Sequence, residues 1–246
     1  MIKKPFLSVI IPAYNEAERI PLTLIDVDKH LSQAKYPYEI LVVNDGSTDD
    51  TALVVERFSK MIPGLRSTGY QVNRGKGGAV RFGMLEAIGR YRLLMDADNS
   101  TSVDHFDKMI PNFEEGYDVV ICSRADKNSK LTPAQGFLRR TLGKIGNLII
   151  QVLVLPGIWD TQCGFKAFSE AAAERIFPLQ RITGWGFDVE ILGLAKNLGY
   201  RIKQIPVIWV NDTASRVKAS AYISTLIETL RIRLWLWRDV YGIKTK

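Results

Sequence analysis

Cysteine and histidine are scarce in this 246-residue chain, with two of each. Cys122 and Cys163 lie far apart and form no Cys-x-x-Cys, so the sequence carries no disulfide framework, and a reduced, cytosolic setting is the simplest expectation. His30 and His105 have no second ligand at metal spacing, which argues against a zinc site. Long apolar runs are also missing. The longest, Leu148 to Trp159, is broken by Gln151, Pro156 and Gly157 and falls short of the roughly 20 residues that span a bilayer. No signal segment is read before Leu7, because Lys3, Lys4 and Pro5 lead straight into the first apolar run. Internal repeats and low-complexity tracts are absent, as are RNP-like, zinc-finger and helix-turn-helix signatures, so nucleic acid is not an expected partner.

What remains is an ordinary globular composition: 46% hydrophobic residues, 24% charged, and a formal charge of +7. That size permits a substantial core in a single domain, residues 1–246. Basic residues crowd Arg124 to Lys144 and the segment after Arg216, whereas the first half carries most of the acids. A basic surface of this kind suits an anionic membrane.

The most informative motif is Asp96-Ala97-Asp98, at the exit of the apolar run Tyr91 to Met95. In extended backbone, residues i and i+2 point to one side. Two carboxylates so placed suit a hard divalent cation, Mg2+ or Mn2+, whose shell is ordinarily completed by substrate phosphates. Asp-x-Asp alone also serves as a turn or helix cap. Two upstream apolar runs end similarly, LSVIIPAYNE in Tyr14 and Glu16 and EILVVNDGSTDDT in Asp45. Unalternating Val, Ile and Leu runs are strands buried on both faces of a parallel sheet. Ligands of such sheets bind beyond the strands' carboxyl ends, where these residues would converge.

Apolar spacing predicts helices over Glu16 to Gln33, Thr48 to Lys60 and Gly77 to Gly89, and strands near Ser67 to Val72 and Asp118 to Cys122: a doubly wound α/β sheet. Beyond Arg124 the pattern predicts a loop at Leu131 to Gln135, a helix over Gly136 to Leu155 and an extended Asp160 to Phe168 with a close backbone approach at Gly164. A helix over Gly186 to Leu198, a strand over Arg201 to Val210 and a final helix from Ala219 to Tyr241 complete the reading. Residues 1–122 are taken as a nucleotide-binding half and 123–246 as an acceptor half.

NRGKGG before the third helix lacks the spacing of a Walker A loop, which disfavours a P-loop NTPase. It is either a plain turn or a place where Lys76 and a helix amino end face an anion.

VIIPAYNE, VVNDGSTDDT, NRGKGGAVRFG and the DAD triplet, in this order, resemble the family 2 glycosyltransferases, whose GT-A fold has a mostly parallel, Rossmann-like sheet. DTQCGFKAF and GWGFDVEIL narrow the resemblance to polyprenyl-phosphate sugar transferases, especially dolichyl-phosphate β-glucosyltransferases, with the mannosyltransferases as near relatives. The resemblance implies a nucleoside pocket of Pro12, Tyr14, Glu16, Val43 and Asp45, and binding of ribose, diphosphate and metal by Asp96, Ala97 and Asp98. In the mannosyl relatives a Gln two residues after the second Asp is a further metal ligand; here the position is Ser100. Arg124 and the pair Arg139 and Arg140 match arginines that hold the acceptor lipid phosphate, and Arg216 and Lys218 match a basic loop that closes over the donor.

The physical logic for arginine stands independently, since guanidinium forks orient and neutralise phosphate oxygens. Solvated surface arginines are the plainer alternative. Asp160, Asp188 or Glu190 would serve as base for a hydroxyl acceptor, whereas a phosphate acceptor is already an anion, leaving Asp160 and Asp188 to organise the site.

The expected activity is inverting, metal-dependent transfer of glucose from UDP-glucose to a polyprenyl (dolichyl) phosphate. Alternatives are GDP-mannose as donor, a hydroxyl acceptor, or a silent nucleotide-sugar or lipid-binding module. The tail interleaves Arg231, Arg233 and Arg238 with Leu234 to Trp237, as interfacial helices do. Packing on the core competes with that reading. The expected location is the cytoplasmic face of a membrane, peripherally bound.

Overall fold

A computed structural model describes residues 4–132, 137–210 and 219–243. The apolar runs become strands β1 (Leu7–Ala13), β2 (Tyr38–Asp45) and β4 (Tyr91–Leu94), the strand expected near Ser67 to Val72 is β3 (Leu65–Tyr70), and helices α1 (Ile20–Leu31), α2 (Thr51–Ser59) and α3 (Lys76–Glu86) link them. All four strands are parallel, with Ile10 opposite both Leu41 and Leu94. A 3-10 turn (Val103–Phe106) and α4 (Ile110–Glu114) lead to β5 (Val119–Ser123). Next come β6 (Lys130–Thr132), α5 (Phe137–Leu153), β7 (Lys166–Ser169), α6 (Glu170–Ile176), α7 (Phe187–Asn197), β8 (Ile202–Pro206), β9 (Ile208–Val210) and α8 (Ala219–Trp237).

The seven-stranded sheet has the order β3-β2-β1-β4-β7-β5-β8. Only β7 runs antiparallel, wedged between β4 and β5, and it joins β5 and β8 into the same sheet as the first four strands. Side chains alternate between two cores, as the pleat requires. Ile10, Leu41, Val43 and Leu94 pack under α3 and the carboxyl-terminal helices, whereas Val9, Ile11, Ile40 and Leu93 pack under α1 and the 3-10 turn.

Three expectations need correction. Leu131 to Gln135 is not simply a loop, because Lys130–Thr132 pairs in parallel with β9, Leu131 opposite Trp209; residues 133–136 lie outside the described set. Arg201 to Val210 is two strands. Pro206 has no N–H to continue the ladder, and at Val207 the chain leaves β5 for β6, its N–H donating to Ser129 Oγ (2.9 Å) and its carbonyl accepting from Lys130 N (2.9 Å). Finally, only Lys166–Ser169 of the extended Asp160 to Phe168 is strand, and the chain then enters α6, which the apolar pattern does not reveal. Ser169 caps that helix by accepting from Ala172 N (3.3 Å).

Candidate active site

The glycine-rich turn is built by its neighbours. Asp45, at the end of β2, is buried and its carboxylate accepts from Arg74 N (2.8 Å) and Gly75 N (2.9 Å). Burial raises its pKa and these two N–H groups oppose the rise. Gly75 has a left-handed φ of 89°, and a Cβ there would sit 2.6 Å from the Thr183 carbonyl oxygen. A Cβ on Gly77 would come within 2.7 Å of the Ile182 carbonyl. Gly78 N donates to Thr183 O (3.3 Å) and Gln180 Nε2 to Gly77 O (2.8 Å). The two glycines thus exist for close backbone packing, and the packing aims Lys76.

Lys76 Nζ stands 2.7 Å from Asp96 Oδ1 and 5.5 Å from the centre of the Trp185 ring. Burial alone would lower the lysine pKa, but the carboxylates of Asp96, Asp188 and Asp98 reverse this and raise it. Gly164 leaves room for Asp96, since any Cβ would collide with the carboxylate, and this is the close approach expected of that glycine. Asp98 Oδ1 accepts from Ser100 N (3.0 Å). Asn99 holds a left-handed φ of 54°. Its Oδ1 and the Ser100 Oγ are buried without a hydrogen-bond partner.

Oxygen donors dominate here, so the site suits a hard cation. Among the described residues no group of three or more His, Cys, Asp and Glu side chains could hold a metal.

Two ion pairs flank these carboxylates. Arg124 meets Asp160 as a fork, Nε to Oδ2 and Nη2 to Oδ1 both at 2.8 Å, while its backbone N–H adds a third bond of 2.8 Å. The guanidinium lies 5.4 Å from the Trp209 ring centre. Burial would lower the Arg124 pKa and raise that of Asp160; their mutual attraction overrides both tendencies. The second pair is Lys166 to Asp188, Nζ to Oδ1 at 2.7 Å, with Nζ also donating to the Cys163 carbonyl. Burial raises the Asp188 pKa, against the pull of Lys166 and Lys76.

The other predicted residues divide. Tyr14 is exposed, and Glu16 is gripped by Arg19 through bonds of 2.6 and 2.5 Å. Pro12 and Val43 are buried strand residues, and Ala97 is anchored by Thr23 Oγ1 through its carbonyl (2.7 Å). Glu190 is structural, accepting from Arg181 N (2.9 Å), Ile182 N (2.7 Å) and the Tyr241 hydroxyl (2.7 Å). Arg139 and Arg140 lie in the first turn of α5 with side chains outside the described set; Arg216 and Lys218 lie outside the described residues altogether. Lys166 was missed by residue-level reasoning, although a lysine inside the apolar run CGFKAF was a usable signal.

The final helix has two faces. Ala221, Thr225, Thr229, Ile232 and Leu236 are buried, whereas Ile223, Ile227, Leu230, Leu234 and Trp237 are 39–65% exposed. Core packing therefore accounts for one face of the tail and leaves an apolar stripe on the other.

A family model described as "Glycosyl transferase family 2" matches residues 8–177. A dolichyl-phosphate beta-glucosyltransferase of Dictyostelium discoideum is 37% identical over 253 residues, covering 98% of this chain and 77% of that protein. One from Saccharomyces cerevisiae is 38% identical over 231 residues, covering 86% and 69%. Among solved structures, glucosyl-3-phosphoglycerate synthase of Mycobacterium tuberculosis, in complex with Mn2+, UDP and glucosyl-3-phosphoglycerate, superposes with a TM-score of 0.71 at 20% identity, covering 93% of this chain and 80% of that one. At that identity the likeness speaks for the fold.

Proposed function

This chain belongs to glycosyl transferase family 2 as a hexosyltransferase of GT-A fold, and from that premise we propose that it moves glucose from UDP-glucose to a polyprenyl phosphate of the dolichyl type. The observation that carries this reading is the convergence at one sheet edge of Asp96 and Asp98, the anchored Lys76, and the Arg124 fork. A diphosphate and an incoming phosphate are both anions. Bringing them together requires positive charge beside each, and Lys76 and Arg124 supply it at this edge.

An acceptor phosphate oxygen attacks the anomeric carbon as the bond from that carbon to the leaving diphosphate oxygen breaks. UDP departs on the opposite face, and an α-linked donor becomes a β-linked lipid-phosphate sugar. Asp96 and Asp98 would hold Mg2+ or Mn2+, with Ser100 beside them, and the ion would supply charge stabilisation to the departing diphosphate. Lys76 adds a fixed positive charge to the donor side. Arg124 can orient the acceptor, because a guanidinium has five N–H donors and Asp160 engages two of its side-chain donors. Asp160 and Asp188 are both committed to cations, which favours an acceptor that needs no general base. The nucleoside pocket would draw on Tyr14, Glu16 and Asp45 just past or at the ends of β1 and β2, where Pro12 pairs with Val43.

An anionic membrane surface fits as partner. No helix among the described residues is long and apolar enough to cross a membrane. The open stripe of α8, flanked by exposed Arg231 and Arg233, matches the composition of interfacial helices. We place the protein peripherally on the cytoplasmic face, where its two unpaired cysteines are at home.

The test is UDP release from UDP-glucose with Mg2+ or Mn2+, with and without a short-chain polyprenyl phosphate. Acceptor-dependent release and a lipid-linked glucose product are expected. Equal or faster turnover with GDP-mannose would reassign the donor. Transfer to a sugar hydroxyl with none to the lipid phosphate would reassign the acceptor.

A further inference from the structure

The loop from Gln180 to Gly186 is the seat of the glycine-rich turn that carries Lys76, and it is pinned at both ends by carboxylates. At its start Glu190 receives Arg181 N and Ile182 N. At its end Glu228, on α8, receives Gly186 N at 2.7 Å. Glu228 lies 42 residues away in sequence and owes its place to the buried face of α8.

The fit around Glu228 is close enough to dictate the loop's composition. A Cβ on Gly186 would stand 2.7 Å from both the Cβ and Oε2 of Glu228, and a Cβ on Gly184 would collide with Oε1. Between these glycines Trp185 projects to the Lys76 ammonium. The carboxyl-terminal segment also holds the other end, where Tyr241 donates to Glu190 (2.7 Å) and Arg181 Nη2 to Val240 O (3.0 Å).

We infer that Glu228 is a positioning residue for donor binding: through Gly186 it fixes the loop that seats Lys76 and presents Trp185 beside it. This rests on the reading of Lys76 as a donor-phosphate ligand. The carboxyl-terminal helix is then a strut of the donor site as well as an outward-facing surface. Glu228 touches no reacting atom. Its effect is carried by backbone placement, and so it should appear in donor affinity and leave acceptor affinity nearly alone.

The experiment measures UDP binding in the presence of Mn2+ by calorimetry, the emission of Trp185 as the difference between each protein and its Trp185→Phe counterpart, and the KM values of donor and acceptor. Glu228→Ala is expected to weaken UDP binding and raise the donor KM about tenfold, with the acceptor KM within about twofold. Its Trp185 emission should shift toward that of solvated tryptophan. Glu228→Gln keeps an oxygen that accepts from Gly186 N and should restore donor affinity to within about threefold.

If Glu228→Ala fails to fold, Gly184→Ala provides the same test, because its Cβ would collide with Glu228 Oε1 and push that carboxylate off Gly186 N. A folded Glu228→Ala or Gly184→Ala protein with unchanged UDP affinity and unchanged Trp185 emission overturns the positioning role alone. A wild-type protein that binds no UDP overturns the donor reading, and the positioning role with it.

Discussion

The two ion pairs beside the carboxylates use the same chemistry to opposite ends. Arg124 and Asp160 meet where the arginine side chain is still 27% exposed, and guanidinium donors are left over. Lys166 and Asp188 meet at 0% and 6% exposure, the ammonium being shared between a carboxylate and the Cys163 carbonyl. An open pair with spare donors can recruit a ligand without breaking its own bonds. A closed pair is a fixture: removing either partner strands a charge in the core. The open pair therefore suits the binding role proposed for it and the closed pair an architectural one, although both lie within electrostatic reach of Asp96.

The largest effect is expected between the pairs. Asp98→Asn or Asp96→Asn should lower transfer by about a thousandfold or more, the several kcal/mol that a catalytic metal supplies, while the melting temperature changes little. Turnover of the Asp98 variant close to wild type in metal-buffered assays would remove the metal from that carboxylate. The contrast between the pairs would survive, since it concerns what surrounds the carboxylates.

Breaking the closed pair comes next. Lys166→Met leaves Asp188 buried without its ammonium and should cost about 3–5 kcal/mol of stability, measured by denaturant titration. Lys166→Met with Asp188→Leu should recover much of that loss, because a matched apolar pair removes the stranded charge. Stability of the single variant within about 1 kcal/mol of wild type would show the pair to be far less costly to break than its burial implies.

The same contrast explains how much could be read from the chain alone. Strands β1 and β2 were legible because burial on both faces writes itself as near-continuous Val, Ile and Leu, and each run, like Tyr91 to Met95, ends in a polar residue at the sheet's carboxyl edge, whereas β3, LRSTGY, is half exposed and carries no such run. Asp96 and Asp98 were legible for that reason, and Lys76 through the glycine-rich NRGKGG at the start of α3. The antiparallel strand was not, since Lys166–Ser169 has four residues with a lysine among them, and its register follows from long-range pairing with β4 and β5. The 170–176 helix is too short to show periodicity. Glu228 carries no local signal at all, because Gly186 becomes its neighbour only when α8 folds back over the loop.

Opening the other pair should act on binding, with some loss of stability as well, because Arg124→Ala leaves the Asp160 carboxylate, 10% exposed, without its guanidinium. Arg124→Ala removes charge-assisted bonds worth roughly 1.5–3 kcal/mol, so the acceptor KM should rise, or turnover fall, by about ten- to a hundredfold. Slow hydrolysis of the donor by water should persist, because Lys76, Asp96 and Asp98 are untouched. Arg124→Lys should recover only part, having charge without the planar fork. Normal transfer to polyprenyl phosphate by Arg124→Ala, with loss of activity only in Asp188→Asn, would point to a hydroxyl acceptor and a base at Asp188.

The smallest effect is the most discriminating, because the two aspartates should carry pH dependences of opposite sign. Arg124 holds the Asp160 pKa below its ordinary 3.8 against the cost of burial. Its stabilising contribution is therefore complete above pH 3.8 and is lost as pH falls through the depressed folded value. Burial raises the Asp188 pKa above the same 3.8, with Lys166 and Lys76 opposing. Over the interval from 3.8 up to that raised value, the folded state keeps a proton that the unfolded state has released, so stability declines as pH rises. Denaturant midpoints between about pH 2.5 and 6.5 would resolve the two limbs. Asp160→Asn should flatten the acid limb and Asp188→Asn the decline above it, whatever each substitution does to the absolute midpoint. Identical slopes in wild type and both variants would mean that neither carboxylate titrates differently on folding, and the distinction between an open and a closed pair would then rest on exposure alone.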